Sequence, residues 1–319
     1  MDLTLAVTRL SPTNLFTAED PTREDEEKTT KQTIPGWSGY NSLVFPDTTR
    51  PTVTGYCPMI NASSTEFSTI KTVMKKAQNT CTSFDQKDVV VSFDLAIYSK
   101  AKEIIWKYPD EFPDTLIRLG GFHITLNFLA VLGKRYQCSG IEDVLVESGT
   151  YGPGTVTSLM KGKSYNRGVR AHKLTMEALF RLMWQAFIGW LNAESQHPHK
   201  ANLDQKGLVS SMQSFHLAIK SKEDVPQGST SITFELKTVM ELFETFREQE
   251  RARLPMFSFW DEYIRMVMLL LQLLKAERTG NWRLHLSAAS SMTSYFFADD
   301  RHNYSRWRPV YLADMDQLQ

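Results

Sequence analysis

Asp94 follows a run of apolar residues, and this position is the first candidate for chemistry. Residues 88–94 read Asp-Val-Val-Val-Ser-Phe-Asp, a pattern typical of a strand buried on both faces. Ligand sites in α/β proteins collect at the carboxyl ends of strands, where a carboxylate can bind a divalent metal. Two interpretations stay open. Asp94 either binds Mg²⁺ or Mn²⁺ for phosphoryl transfer, or its side chain caps the helix that follows.

Two further side chains extend the catalytic hypothesis. His123 follows the next predicted strand and a Gly-Gly pair, so it would lie near Asp94 if the two strands are neighbours; a structural role for His123 is the alternative. Asp300 belongs to a polar segment, 296–307, between two predicted helices. That segment is either one wall of a site or a hydrogen-bonded corner between the helices. The candidate catalytic residues are therefore Asp94, His123 and Asp300, with Asp94 as the candidate metal ligand.

A second group of residues is suited to binding phosphate. Segment 161–181 is rich in basic residues and contains only one acid, Glu177. Clusters of this kind neutralise nucleic-acid phosphates and give a salt-dependent affinity that does not depend on base sequence. The alternative is a solvated helix face whose charges pair with acids elsewhere in the protein. The candidate nucleic-acid-binding residues are Lys161, Lys163, Arg167, Arg170 and Lys173.

Composition limits the kind of protein that holds these residues. The chain has 319 residues, 42% of them hydrophobic, and 36 Lys and Arg balance 36 Asp and Glu. This is a globular composition in which the basic segment is offset by acids elsewhere. Three widely spaced cysteines indicate a reducing compartment. No apolar run approaches the roughly 20 residues that a membrane span needs. We therefore predict an intracellular protein without a membrane partner.

Hydrophobic periodicity divides the chain into three parts. Residues 1–33 include an acidic, polar stretch and are predicted to be a flexible arm. Residues 34–137 predict strands and helices in the order β–β–α–β–α–β–α, which favours a central sheet flanked by helices. Residues 138–319 carry helical periodicity throughout, which predicts a helical domain or insertion.

The most apolar helix is predicted to begin near Phe259. Ser258 followed by Asp261 resembles a capping box with Asp in place of Glu. This long helix is the candidate element for homo-oligomer formation through the helical half.

Five segments carry a resemblance to known proteins: IPGWSGYNSLVF, VVVSFDLAIYSKAKEIIW, LGGFHITLNFLAVLGK, SYNRGVRAHKL and DDRHNYSRW. Over roughly residues 34–318 the chain resembles a family of mobile-element-associated proteins that occur in many copies in animal genomes. It is more distantly similar to the ribonuclease-H-like core of Mutator-like transposases. In that core a strand ending in Asp is followed by a helix with an Ala-Ile step and by a strand that leads to a Cys-x-x-His element. Here Asp94, Ala96-Ile97 and His123 stand in that order.

The resemblance implies an α/β fold with a ribonuclease-H-like central sheet, followed by a mostly helical half. It also implies DNA as the partner and the nucleus as the location. The sequence differs from the transposase core at two places that matter for catalysis. Gly120 stands where the core has the Cys of its Cys-x-x-His element, and residues 35–46 of the predicted first strand contain no acid. Metal-dependent phosphoryl transfer needs several converging carboxylates. The sequence therefore predicts a transposon-derived, integrase-like or transposase-like protein that acts on or binds DNA and is degenerate in catalysis. A non-catalytic interaction or assembly protein on the same scaffold is the alternative.

Overall fold

A computed structural model of the chain describes residues 55–193 and 230–316. Helices account for 76% of these residues. The predicted acidic arm at 1–33 and the predicted first strand at 34–46 lie outside the described residues.

The first element of the described chain is a helix, which is followed by a small β-α-β unit. Helix α1 (Phe67–Ser83) precedes strand β1 (Val89–Phe93), helix α2 (Leu95–Lys107) and strand β2 (Thr115–Leu119). The two strands pair in parallel, with Val89 opposite Thr115 and Phe93 opposite Leu119. A 3₁₀ turn (Pro109–Glu111) lies between α2 and β2. Because the strands are parallel, their carboxyl ends lie at the same edge of the sheet.

The predicted ribonuclease-H-like central sheet is wrong. Within the described residues the sheet has only β1 and β2, and residues 55–60 of a second predicted strand have no regular structure. Nor is β1 buried on both faces, since Val89 is buried whereas Val90 is 58% exposed. The fold is mostly helical because helices, and not further strands, cover the apolar side chains of this unit.

Eight α-helices follow β2 in the described residues: α3 (Gly121–Tyr136), α4 (Ile141–Glu147), α5 (Pro153–Met160), α6 (Tyr165–Ala193), α7 (Thr230–Arg253), α8 (Pro255–Thr279), α9 (Trp282–Ala298) and α10 (His302–Asp316). The chain divides into two compact units. One contains Met176–Ile264, and the other contains the described residues of Thr49–Thr175 and Arg265–Gln319.

The unit that contains the sheet is closed by helices from the far end of the chain. Helix α10 packs on α2, where Tyr98 is fully buried and makes edge-to-face contacts with Trp307 and Tyr311. Beside them, Nζ of Lys102 lies 2.8 Å from Oδ2 of Asp314. Helix α9 packs in turn on α3. The faces of α2 and α3 that are not covered by α1, α5 and the sheet are therefore covered by residues that follow them by more than 150 positions.

The unit formed by Met176–Ile264 has an aromatic core. Its buried rings are Phe180, Trp184, Phe187, Phe243 and Phe246. Asp261, which is 1% exposed, lies 2.8 Å from Arg247 and 2.5 Å from Arg251. The predicted capping box at Ser258 is wrong, because α8 already begins at Pro255 and Asp261 is a buried partner of two arginines.

The central apolar stripe of α8 lies inside the protein. Tyr263, Val267 and Leu270 are fully buried. No helix within the described ranges is long and apolar enough to span a bilayer. The apolar side chains that were expected to mediate self-association are thus buried against other parts of the same chain. Homo-oligomer formation stays a prediction.

Candidate nucleic-acid interface

Asp94 caps helix α2. Its Oδ1 atom accepts a hydrogen bond from the backbone N–H of Ile97 at 3.0 Å, and its backbone is extended, as the N-cap position requires. The capping interpretation is therefore confirmed. Tyr304 of α10 lies within electrostatic range: burial raises the pKa of Tyr304 to about 12, and the Asp94 carboxylate adds to that increase.

His123 and Asp300 are both exposed. His123 lies in the first turn of α3, and its carbonyl oxygen accepts a hydrogen bond from the Asn127 side chain at 3.0 Å. Asp300 follows α9, and its Oδ2 atom is 3.8 Å from Nζ of Lys134. In the part of the chain that the structure describes, no three His, Cys, Asp or Glu side chains are grouped to hold a metal ion. The catalytic and metal-binding roles of Asp94, His123 and Asp300 stay predictions, without a supporting geometry.

The polar segment between α9 and α10 forms a corner. Asp299, which is 7% exposed, forms an ion pair with Arg135 of α3. Its carbonyl oxygen accepts a hydrogen bond from Lys134 at 3.2 Å. The guanidinium of Arg135 also lies 5.2 Å from the ring centre of Tyr295. These contacts support the interpretation of 296–307 as a corner that is tied to α3.

The five predicted phosphate-binding residues lie around the start of α6. Lys161 and Lys163 precede the helix, and Arg167, Arg170 and Lys173 follow along it at intervals of three residues. Side chains three residues apart on a helix are neighbours on its surface. The first four are exposed, and Lys173 is partly exposed. We call these five residues the basic surface.

Two glycines hold the backbone of the basic surface close to α3. Gly162 has a φ of +68°, and a Cβ atom there would lie 2.7 Å from the carbonyl oxygen of Leu126. At Gly168 a Cβ atom would lie 3.2 Å from a methyl group of Leu129. Larger residues at either position would push the segment away from α3. Close packing of the glycines thus fixes the segment while the neighbouring Lys and Arg side chains stay exposed.

Four of the five cations of the basic surface have no carboxylate partner in the described residues. Residues 148–176 contain no Asp or Glu. Within the described ranges, Lys161, Lys163, Arg167 and Arg170 form no ion pair with a carboxylate. The pairing that the alternative interpretation requires is therefore not seen for these four. Unpaired cations on one surface create a positive potential that attracts phosphate groups.

Sequence reasoning missed a partly buried polar network that connects β2 to three helices. One carboxylate oxygen of Glu277 lies 2.6 Å from Nη2 of Arg118 and 2.6 Å from Nδ1 of His285. The Nε2 atom of His285 lies 2.8 Å from the Tyr311 hydroxyl, and the Trp282 ring stacks on the imidazole. No local motif joins these residues. The only signal was Arg118, the one charged residue in β2.

In this network the pKa values of Glu277 and Tyr311 are shifted, and His285 and Tyr311 are buried. Burial acts to raise the pKa of Glu277, but the hydrogen bond with His285 and the charge of Arg118 outweigh it, so that the pKa is lowered. Burial raises the pKa of Tyr311 to about 12. His285 and Tyr311 are 1% and 0% exposed. The network therefore ties β2 to α8, α9 and α10 inside the fold.

The fold and the surface define a mostly helical protein with a small parallel sheet and an exposed basic surface. Residues 36–319 match the model of the family described as Domain of unknown function (DUF8702), and the chain belongs to this family. No curated protein and no solved structure gave a match.

Proposed function

We propose that this protein binds DNA through the phosphate backbone and acts as a non-catalytic binding protein. The observation that carries the proposal is the basic surface, in which four exposed cations lack a carboxylate partner in the described residues. The glycines at 162 and 168 keep the segment against α3, so the cations belong to an ordered part of the protein.

Charge neutralisation determines the kind of affinity that we expect. Each phosphate contact releases counterions, which gives a slope of about −0.9 in a plot of log K against log salt concentration for duplex DNA. The four cations without a carboxylate partner therefore predict a slope of about −3 to −4. Phosphate contacts carry no base information, so the affinity should vary little with base sequence.

The surroundings of Asp94 support binding without cleavage. Its carboxylate accepts the backbone N–H of Ile97, which occupies one of its oxygens in a structural role. Two-metal phosphoryl transfer needs a set of convergent carboxylates, and the described residues contain no such group.

A binding assay with a matched charge control tests the proposal. Fluorescence anisotropy of a labelled 20-base-pair duplex would compare wild type with the triple variant Lys163→Ala, Arg167→Ala and Arg170→Ala over a series of salt concentrations. Loss of three phosphate contacts should weaken binding by about tenfold or more at low salt and make the salt slope shallower by about 2 to 3. The control triple variant, Lys76→Ala, Lys107→Ala and Arg283→Ala, removes three other exposed cations and the same net charge.

Two results would contradict the proposal. One is an absence of duplex binding by the wild-type protein at low salt. The other is an equal loss of affinity in the two triple variants, which would mean that net charge, and not this surface, drives binding. Circular dichroism and thermal melting of each variant establish that the fold is retained.

A further inference from the structure

We propose that the basic surface prefers single-stranded over duplex nucleic acid, because aromatic rings beside it, of which those of Phe122 and His123 are exposed, stack with unpaired bases. This inference rests on the proposed function and adds the class of ligand. The rings are those of Phe122, His123 and Tyr165, which we call the stacking platform.

The stacking platform lies where α3 and α6 begin. Phe122 is 53% exposed, and its ring centre lies 4.8 Å from that of Tyr165 at an interplanar angle of 34°. The exposed imidazole of His123 meets Phe122 edge-on at 5.4 Å. Tyr165 is the first residue of α6, so it is two positions from Lys163 on one side and from Arg167 on the other. Aromatic rings and unpaired cations are thus adjacent on one surface.

Contacts beneath the platform hold it in place. Tyr165 is partly buried, and this burial is the main cause that raises its pKa, so the ring is held within the protein surface. Gly121, directly before Phe122, packs against the carboxylate of Glu277. A Cβ atom added at Gly121 would lie 2.7 Å from Cδ of Glu277. The turn that carries Phe122 is therefore anchored from below, while Phe122 itself stays exposed.

A pre-ordered aromatic ring beside cations matches the chemistry of an unpaired strand. Every base has a π-face, and stacking on aromatic side chains is tolerant of base identity. The bases of a duplex are already stacked on each other and do not offer this face. The basic surface should therefore bind the phosphates of either form, whereas Phe122 should contribute only to the single-stranded one.

Substitutions at Phe122 test this prediction. Binding of the wild-type chain and of Phe122→Ala, Phe122→Leu and Phe122→Tyr would be measured with labelled oligo(dT)20, oligo(U)20 and a 20-base-pair duplex. Stacking on one aromatic side chain is worth about 5- to 150-fold in affinity. Phe122→Ala should lose a factor in this range for the two single strands and less than twofold for the duplex. Phe122→Tyr should bind as wild type does.

The leucine variant separates stacking from packing. Leucine keeps the apolar bulk at position 122 but has no π-face, so Phe122→Leu should behave like Phe122→Ala if the ring stacks with a base. Phe84→Ala is the matched control, because Phe84 is 71% exposed and precedes the amino end of β1, whereas Phe122 follows the carboxyl end of β2. A 2-aminopurine base in the oligonucleotide gives a direct readout, since its fluorescence is quenched on stacking.

The outcomes distinguish this inference from the function on which it rests. If single-stranded affinity is unchanged in Phe122→Ala and falls in the Lys163, Arg167 and Arg170 triple variant, stacking is refuted and phosphate binding stands. Recovery of wild-type affinity by Phe122→Leu also refutes stacking. If wild type binds none of the three probes at low salt, the proposed function fails as well. A preference for oligo(U)20 over oligo(dT)20 would assign RNA as the ligand and would leave the stacking inference in place.

Discussion

The Oε1 atom of Glu277 lies 2.6 Å from Nδ1 of His285, and this contact joins the end of α8 to the first turn of α9. The same oxygen lies 2.6 Å from Arg118 of β2. One carboxylate oxygen thus holds together the strand and two helices that follow it by more than 150 residues. Since His285 is almost fully buried, the loss of this carboxylate would leave polar groups without a charged partner inside the protein.

Replacement of Glu277 by Gln should destabilise the fold. The amide removes the negative charge between Arg118 and His285, and groups left unsatisfied in a protein interior cost about 1–3 kcal/mol. Urea denaturation followed by circular dichroism measures the change in the free energy of unfolding. Asp114→Asn is the control, because its ion pair with Lys87 spans 3.7 Å between exposed side chains and such pairs contribute little. Equal stability of the two variants would refute the role assigned to Glu277.

Two glycine substitutions should change stability in opposite directions. A Cβ atom at Gly133 in α3 would lie 1.8 Å from the carbonyl oxygen of Met160, so Gly133→Ala forces the backbone of α5 to move. Overpacking of this kind costs about 1–3 kcal/mol. At Gly189 in α6 the added Cβ would meet no other element of the described residues within 4 Å, so Gly189→Ala should stabilise the helix by about 0.5–1 kcal/mol. Thermal melting of both variants checks the signs, and a Gly133→Ala protein that melts at or above the wild-type temperature would contradict the close contact.

The stability of the protein should fall as the pH decreases from about 6.5 to 4. His172 in α6 is 2% exposed, and burial lowers its pKa from 6.5 to about 4. In this pH range the unfolded chain binds a proton that the folded chain excludes, so the stability present above pH 6.5 is lost progressively toward the folded pKa. The slope is at most about 1.4 kcal/mol per pH unit.

The pH dependence of unfolding in a His172→Gln variant checks this assignment. Its slope between pH 6.5 and 4 should be smaller than that of wild type, whatever the effect of the substitution on absolute stability. His123→Gln is the matched control, because it removes an exposed histidine. Parallel curves for His172→Gln and wild type would show that the buried imidazole does not determine the pH response.

Elements defined by local pattern were predicted well from the sequence. The predicted helix at 96–106 is found at Leu95–Lys107, and the predicted strand Thr115–Leu119 is found with the same bounds. The cap formed by Asp94 is also local, because it reaches only three residues along the chain. The prediction of a central sheet was wrong because an apolar run does not show whether strands or helices pack against it. Here α10 covers α2, and no pattern near α2 indicates it.

The same distinction applies to the candidate site. The basic surface was predictable because its five cations lie within thirteen consecutive residues, 161–173. The stacking platform was not, because Phe122 and Tyr165 are distant in sequence and meet only where α3 and α6 pack. The resemblance to mobile-element-associated proteins and the nuclear location stay predictions.

The contact between α2 and α10 sets the order in which the protein can complete its fold during synthesis. Tyr98 donates a hydrogen bond to Asp314, 216 positions later, at 3.5 Å. When β1, α2 and β2 have left the ribosome, about two hundred codons must still be translated before the residues of α10 that cover Tyr98 emerge. Contacts between segments so far apart in sequence form slowly, because a long loop must close first. The part of α2 around Tyr98 therefore lacks the cover of α10 until synthesis is nearly finished, and during that time a chaperone that binds apolar segments would have the most effect.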